Sequence, residues 1–257
     1  MNEQDEPKAN SKDKPLYQDP VKLVPLIGAA IAAILGGIAL YSQIFPPSPP
    51  STSSVEYVLD TSQGMEGKLG EEDKLESVKE HILTQVAGFP DVPAALRLAG
   101  GGCGLQYQPP SVGFEEDNYD DFETALSGLR PSGESDLANA LEHAANDLVE
   151  RSEQEGNELT TVYVFVGSED DCSSNPAEAI RGALSALRAQ ENVAVDFKFV
   201  GVNASKETQN LLDEAEKVAR DLGFLSSVTY ATEPSDLNAL PPYCDTPAEE
   251  EDPGDCR

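Results

Sequence analysis

Histidine occurs only twice, no Cys-x-x-Cys pair is present, and basic residues are scarce, with 17 Lys and Arg against 47 Asp and Glu. So few imidazoles and no paired-thiol spacing exclude a zinc site built of Cys and His. The formal net charge of -30 excludes a nucleic-acid binder, which needs a basic face to displace counterions from phosphates. Such a charge keeps a domain soluble and by itself names no partner. Signatures of catalysis are also missing. No serine lies in G-x-S-x-G, the nucleophile-elbow pattern. The run Ala99-Gly100-Gly101-Gly102-Cys103-Gly104 lacks the Lys-Ser/Thr of a phosphate loop and reads as a tight strand exit. His81 and His143 fall on helical stretches outside any strand-end loop and read as surface residues. With no nucleophile and base to name together, the chain is expected not to be an enzyme.

No Lys or Arg stands between Lys22 and Lys68, and into that gap falls an uncharged apolar run, Leu23 to Tyr41. A bilayer core of about 30 Å takes about 20 helical residues to cross, and Pro25 is tolerated in a first turn. The cations Lys8, Lys12, Lys14 and Lys22 all precede the run, which predicts a cytoplasmic N-terminus and a main domain outside. A cleaved signal peptide is the rival reading, but Tyr41-Ser42-Gln43-Ile44 is not an A-x-A-like cleavage site. Ala29, Ala33 and Gly37, four apart, give the span a small-residue face able to pack a partner transmembrane helix.

The predicted organisation is a polar cytoplasmic tail (1–22), the transmembrane helix (23–41), a Pro/Ser stalk (42–54), a folded domain (55–240) and an acidic C-terminal tail (241–257). All cysteines, Cys103, Cys172, Cys244 and Cys256, follow the span, which suits disulfides in an oxidising compartment, with buried free thiols as the alternative. Four cysteines allow three complete pairings. The favoured one joins Cys103 to Cys172 and Cys244 to Cys256, because the Gly-rich strand exit brings Cys103 to the sheet edge where Cys172 lies.

Within 55–240, short apolar runs alternate with amphipathic stretches, the pattern of a mostly parallel sheet covered by helices on both faces. Strands are predicted at Val55–Leu59, Ala94–Ala99, Thr161–Val166, Val193–Val200 and Leu225–Tyr230. Leu75, Val78, Ile82, Val86 and Phe89 form the buried stripe of a first helix, with Glu71, Glu72, Lys79 and Glu80 outward. Leu137, Ala140, Leu141, Ala144 and Leu148 form a second. Two further helices run from Pro176 to Gln190 and from Lys206 to Leu222.

In such a sheet the loops at the carboxyl ends of the strands carry function. The first reads Asp60-Thr61-Ser62-Gln63-Gly64, the second Arg130-Pro131-Ser132-Gly133-Glu134-Ser135-Asp136, and the third Gly167-Ser168-Glu169-Asp170-Asp171-Cys172. Carboxylates and hydroxyls of this kind suit a hard cation such as Mg2+, though turn formation and helix capping use the same residues.

This ordered set resembles the von Willebrand factor type A domain, whose metal-ion-dependent adhesion site combines Asp-x-Ser-x-Ser after the first strand, a Thr in the second loop and an Asp in the third. The resemblance implies a Rossmann-like α/β fold. It also implies a protein-binding role in which Mg2+ or another divalent cation is completed by an acidic side chain of a protein partner. Asp60 and Ser62 match the pattern, and Ser135 keeps the hydroxyl of the Thr. Gly64 stands in place of the second serine and Gly167-Ser168 in place of Asp-Gly, which leaves Glu169 or Asp170 as the substitute acid. The chain thus reads as a membrane-tethered extracytoplasmic adhesion module. A structural subunit of a membrane complex is the second reading and a hydrolase the last.

Overall fold

The computed structural model describes residues 52–103, 109–155, 159–190 and 193–240. The predicted tail, transmembrane helix and C-terminal segment, with Cys244 and Cys256, lie outside the described residues. No helix among the described residues is long and apolar enough to cross a membrane.

The described residues open with β1 (Thr52–Asp60). After a single 3-10 turn come β2 (Lys68–Leu69), β3 (Glu72–Asp73) and α1 (Lys74–Gly88). Next are β4 (Ala94–Ala99), β5 (Val112–Glu115), α2 (Tyr119–Ser127) and α3 (Leu137–Glu155). The second half alternates β6 (Leu159–Val166), α4 (Pro176–Arg188), β7 (Ala194–Val202), α5 (Lys206–Asp221), β8 (Leu225–Ala231) and α6 (Pro234–Asn238). Six strands form one sheet in the order β5-β4-β1-β6-β7-β8. Only the β4–β5 edge is antiparallel.

Alternation along the central strands sorts side chains into two cores, as period-two geometry demands. Val58, Val162, Val164, Phe197 and Phe199 face α3, α4 and α5. Tyr57, Leu59, Tyr163 and Phe165 face α1, α2 and α6, where Tyr57 stacks on Tyr163 at 5.8 Å and meets the Phe122 edge at 5.9 Å. Each element predicted from periodicity is present with ends shifted by a few residues. β1 starts at Thr52 rather than Val55 because Ser53 and Ser54 already bond the start of β6, through the Leu159 carbonyl at 3.0 Å and the Thr160 hydroxyl at 2.8 Å. β5, α2, α6 and the β2–β3 pair are additions to the sequence reading.

Two expectations fail on α1. His81 is 3% exposed, set edge-on to Phe165 at 5.8 Å, and Lys79 is 4% exposed. Lys79 escapes an unpaired burial by donating to Glu76 and the Leu129 carbonyl, both at 2.9 Å. The cause is packing on several sides: α1 lies against the sheet, the first loop and α2, so its buried arc is wider than one stripe. His143, on α3, is half-buried rather than exposed.

Candidate functional site: the strand-end loops

Parallel β1, β4 and β6 end together, and their register fixes which loops meet. Asp60 pairs with Ala99 and Leu59 with Phe165, so Asp60 reaches the sheet edge just beside Gly167. The second loop is sewn to the first by two backbone bonds, Ser132 N–H to the Thr61 carbonyl (2.8 Å) and Gln63 N–H to the Gly133 carbonyl (3.1 Å). The third is sewn to the second through Ser135 and Asp171. Asp171 donates its N–H to the Ser135 carbonyl at 3.0 Å, and its carboxylate accepts the Ser135 N–H at 3.1 Å. Cys103, just after β4, is disulfide-bonded to Cys172 across a sequence separation of 69, with Cα atoms 5.0 Å apart. The Gly100–Gly102 turn is the tight strand exit that its glycines imply.

Asp60 is 1% exposed. One carboxylate oxygen accepts the Ser62 N–H at 2.8 Å, and the other accepts those of Gly167 at 3.0 Å and Ser168 at 3.3 Å. Burial raises its pKa above the ordinary carboxylate value, and the hydrogen bonds from Ser62, Gly167 and Ser168 offset that only in part. Lys74, at the first position of α1, is 8% exposed and donates to the Gly64 carbonyl at 3.2 Å. Burial lowers its pKa, against the attraction of Asp60.

Ser62 is fully buried; its hydroxyl accepts the Gly64 N–H at 3.2 Å and bonds the Ser168 hydroxyl at 3.1 Å. Ser135 is fully buried as well, and its hydroxyl has no hydrogen-bond partner among the described residues. Asp170, 4% exposed, is occupied: one oxygen caps α3 through the Ala138 N–H at 2.9 Å, and the other accepts from Cys172 at 2.9 Å and Ser173 at 3.0 Å. Glu169 is exposed. Sequence reasoning missed Lys74, Ser168 and Asp171. For Ser168 a signal existed, since a serine lost at 64 and a serine gained at 168 are complementary changes.

Six strands in this order, helices on both faces and an Asp-x-Ser turn at the end of the central β1 decide the architecture. The fold is that of a von Willebrand factor type A domain. The profile of that domain family matches residues 55–169. Among solved structures, the VWA domain of SpRpn10 is similar at 16% identity and a TM-score of 0.54, over 77% of this chain and 100% of that one. The PilB minor pilin from Streptococcus sanguinis aligns at 13% identity and TM-score 0.52, over 76% of this chain and 60% of the pilin. A von Willebrand factor type A protein from Catenulispora acidiphila aligns at 16% and 0.53, over 73% and 41%. No curated protein sequence is detectably similar to this chain. At these identities the likeness establishes the type A fold alone.

Whether the type A loops here fit a divalent ion turns on free oxygens converging at one point. Asp60 accepts three N–H groups and Ser62 bonds Gly64 and Ser168, the third-loop Asp is Gly167 and Asp170 is turned to capping, so of the buried expected ligands only the Ser135 hydroxyl is left unpartnered among the described residues. Among the described residues, two groups of three acidic or sulfur ligands have atoms within 4.8 Å of one another, Cys103–Glu134–Cys172 and Asp136–Asp170–Cys172. Both depend on sulfur already committed to the disulfide, and neither contains Asp60. Close packing decides the matter. A Cβ on Gly167 would lie 2.5 Å from the Gly64 carbonyl oxygen and 2.5 Å from Met65 Sδ, so the first and third loops abut where the ion's second acid would stand. The residues do not fit the family's ion.

A small cavity of about 70 Å³ opens beside these loops, lined by Arg97, Ser111, Asp136 and His143 among others. Its size suits bridging water rather than a substrate.

Proposed function

We propose that this chain is a membrane-tethered, extracytoplasmic protein-binding module that presents the strand-end loops of its type A domain to a protein partner. The observation that carries the reading is the locked edge itself. Three loops from distant parts of the sequence are joined by backbone hydrogen bonds, by the Asp60 and Asp170 carboxylates and by the Cys103–Cys172 bond. A surface fixed before binding loses little entropy on association. Glu134, Glu169 and Asp171 are its exposed acids, so the complementary partner surface is basic. Recognition through Mg2+ at Asp60, Ser62 and Ser135 is the finer alternative, which the loop packing disfavours. No catalytic role is assigned: His81 is buried in α1, and the buried loop carboxylates of Asp60 and Asp170 are taken up by backbone N–H groups.

Tethering is supported by the uncharged run Leu23 to Tyr41 and by the lysines confined to its N-terminal side. The Cys103–Cys172 bond supports an oxidising, extracytoplasmic setting. Photo-crosslinking in intact membranes tests the reading. Crosslinkers at Glu134 and Glu169 are expected to trap one partner that a crosslinker at Glu80, on α1, does not, and to do so after the native span is replaced by an unrelated anchor. A partner lost with the native span would favour the assembly-subunit reading, in which Ala29, Ala33 and Gly37 make the contact.

A further inference from the structure

Gly64 and Gly167 are separate departures from the family's pattern in the sequence, yet they meet in space. A Cβ on Gly64 would lie 2.1 Å from Ser168 Cβ and 2.3 Å from its hydroxyl. It would also lie 2.8 Å from the Ser168 backbone N, so residue 64 can be serine only if residue 168 is small and its backbone gives way slightly. The Ser168 hydroxyl in turn bonds that of Ser62 at 3.1 Å. A Cβ on Gly167 would press on backbone as well, 2.8 Å from the Gly64 carbonyl carbon, and backbone does not yield as a flexible side chain does. Asp60 spans the seam by accepting N–H groups from both loops, and Lys74 closes it from below through the Gly64 carbonyl.

We infer that these loops have exchanged the divalent-cation site for a direct joint, in which Ser168 supplies from the third loop the hydroxyl that Gly64 lacks and Asp60 is held by N–H groups of both loops. The joint stands on geometry; only its consequence, cation-independent recognition, rests on the proposed binding role. A buried carboxylate needs compensating donors or an opposite charge. Here three N–H groups provide them without an ion. The exchange is concerted: Gly64, Gly167 and Ser168 make sense together and none of them alone.

The test uses the full-length chain in mild detergent, its melting followed by circular dichroism. Midpoints in Mg2+, in Mn2+ and in chelator are expected to coincide. Gly64→Ser is expected to lower the midpoint by at least about 4 °C, and Ser168→Gly added to it to restore a measurable part of the loss, the residue 168 backbone N still pressing on the new Cβ. A midpoint raised by either cation overturns the inference, as does a Gly64→Ser chain that melts like the unmutated one or is not rescued by Ser168→Gly. The cation comparison needs no variant to fold. A chain that behaves as expected yet crosslinks to no partner through Glu134 would refute the binding role and leave the joint standing.

Discussion

Replacing Arg97 by Met removes the one cation in a charged group buried between the sheet and α3. Arg97, on β4, donates to Glu56 on β1 at 2.8 Å and to Asp147 on α3. Its side chain is 4% exposed and that of Glu56 0%, while Asp147 keeps 13%. The second Glu56 oxygen has no hydrogen-bond partner among the described residues, so Arg97 is the main compensation for that charge. Removing one partner of a buried pair costs about 3–5 kcal/mol, because the other charge is stranded. A domain of this size has about 5–15 kcal/mol in total. Urea unfolding followed by circular dichroism reads the loss as a lower midpoint at unchanged slope. Burial raises the Glu56 pKa above its ordinary 4.5, against the pull of Arg97. Without Arg97 it rises further, and a raised carboxyl contributes stability below its unfolded pKa that is lost as pH climbs through the folded one. The deficit of the variant should therefore be larger at neutral pH than below pH 4.5. Exchanging Glu56 and Arg97 together, Glu56→Leu with Arg97→Met, should recover most of it. An Arg97→Met chain less than about 1 kcal/mol destabilised, or a deficit independent of pH, would show that Arg97 does not compensate Glu56.

Other expectations concern neighbouring features. Burial depresses the His81 pKa from 6.5 to about 4, so stability present above pH 6.5 is lost as pH falls toward 4, by about 3 kcal/mol. The difference in unfolding free energy between His81→Gln and the unmutated chain should slope across that window and flatten outside it. Opening the Cys103–Cys172 loop with paired serines should cost about 4 kcal/mol by chain entropy, read as a lower urea midpoint under non-reducing conditions. Ser135→Ala should be neutral or stabilise by about 1 kcal/mol, since the hydroxyl is buried without a partner. Destabilisation there would mean the hydroxyl has work to do.

The sheet was legible in the sequence because its strands are continuous apolar runs between helices with clean stripes, as at Leu137, Leu141 and Leu148. β5 was not: four residues, Val112–Glu115, pair only at an edge and carry no alternation long enough to count. α2 buries just Phe122 and Leu126, too few for a stripe. His81 and Lys79 were misread because periodicity reports the face toward one neighbour, and α1 has several. At the loops, Asp60, Ser62 and Ser135 could be picked out by order along the chain. Their present use could not, because it depends on contacts between residues about a hundred positions apart, such as Ser62 with Ser168 at 3.1 Å. The losses at Gly64 and Gly167 look like decay of a motif in one dimension and become a packed contact in three.

Calorimetric titration of the full-length chain with Mn2+ decides whether Asp60 holds a cation. A joint that satisfies Asp60 from within predicts dilution heat alone, the same for the unmutated chain and for Asp60→Ala. Saturable binding heat in the unmutated chain that disappears in Asp60→Ala would contradict it.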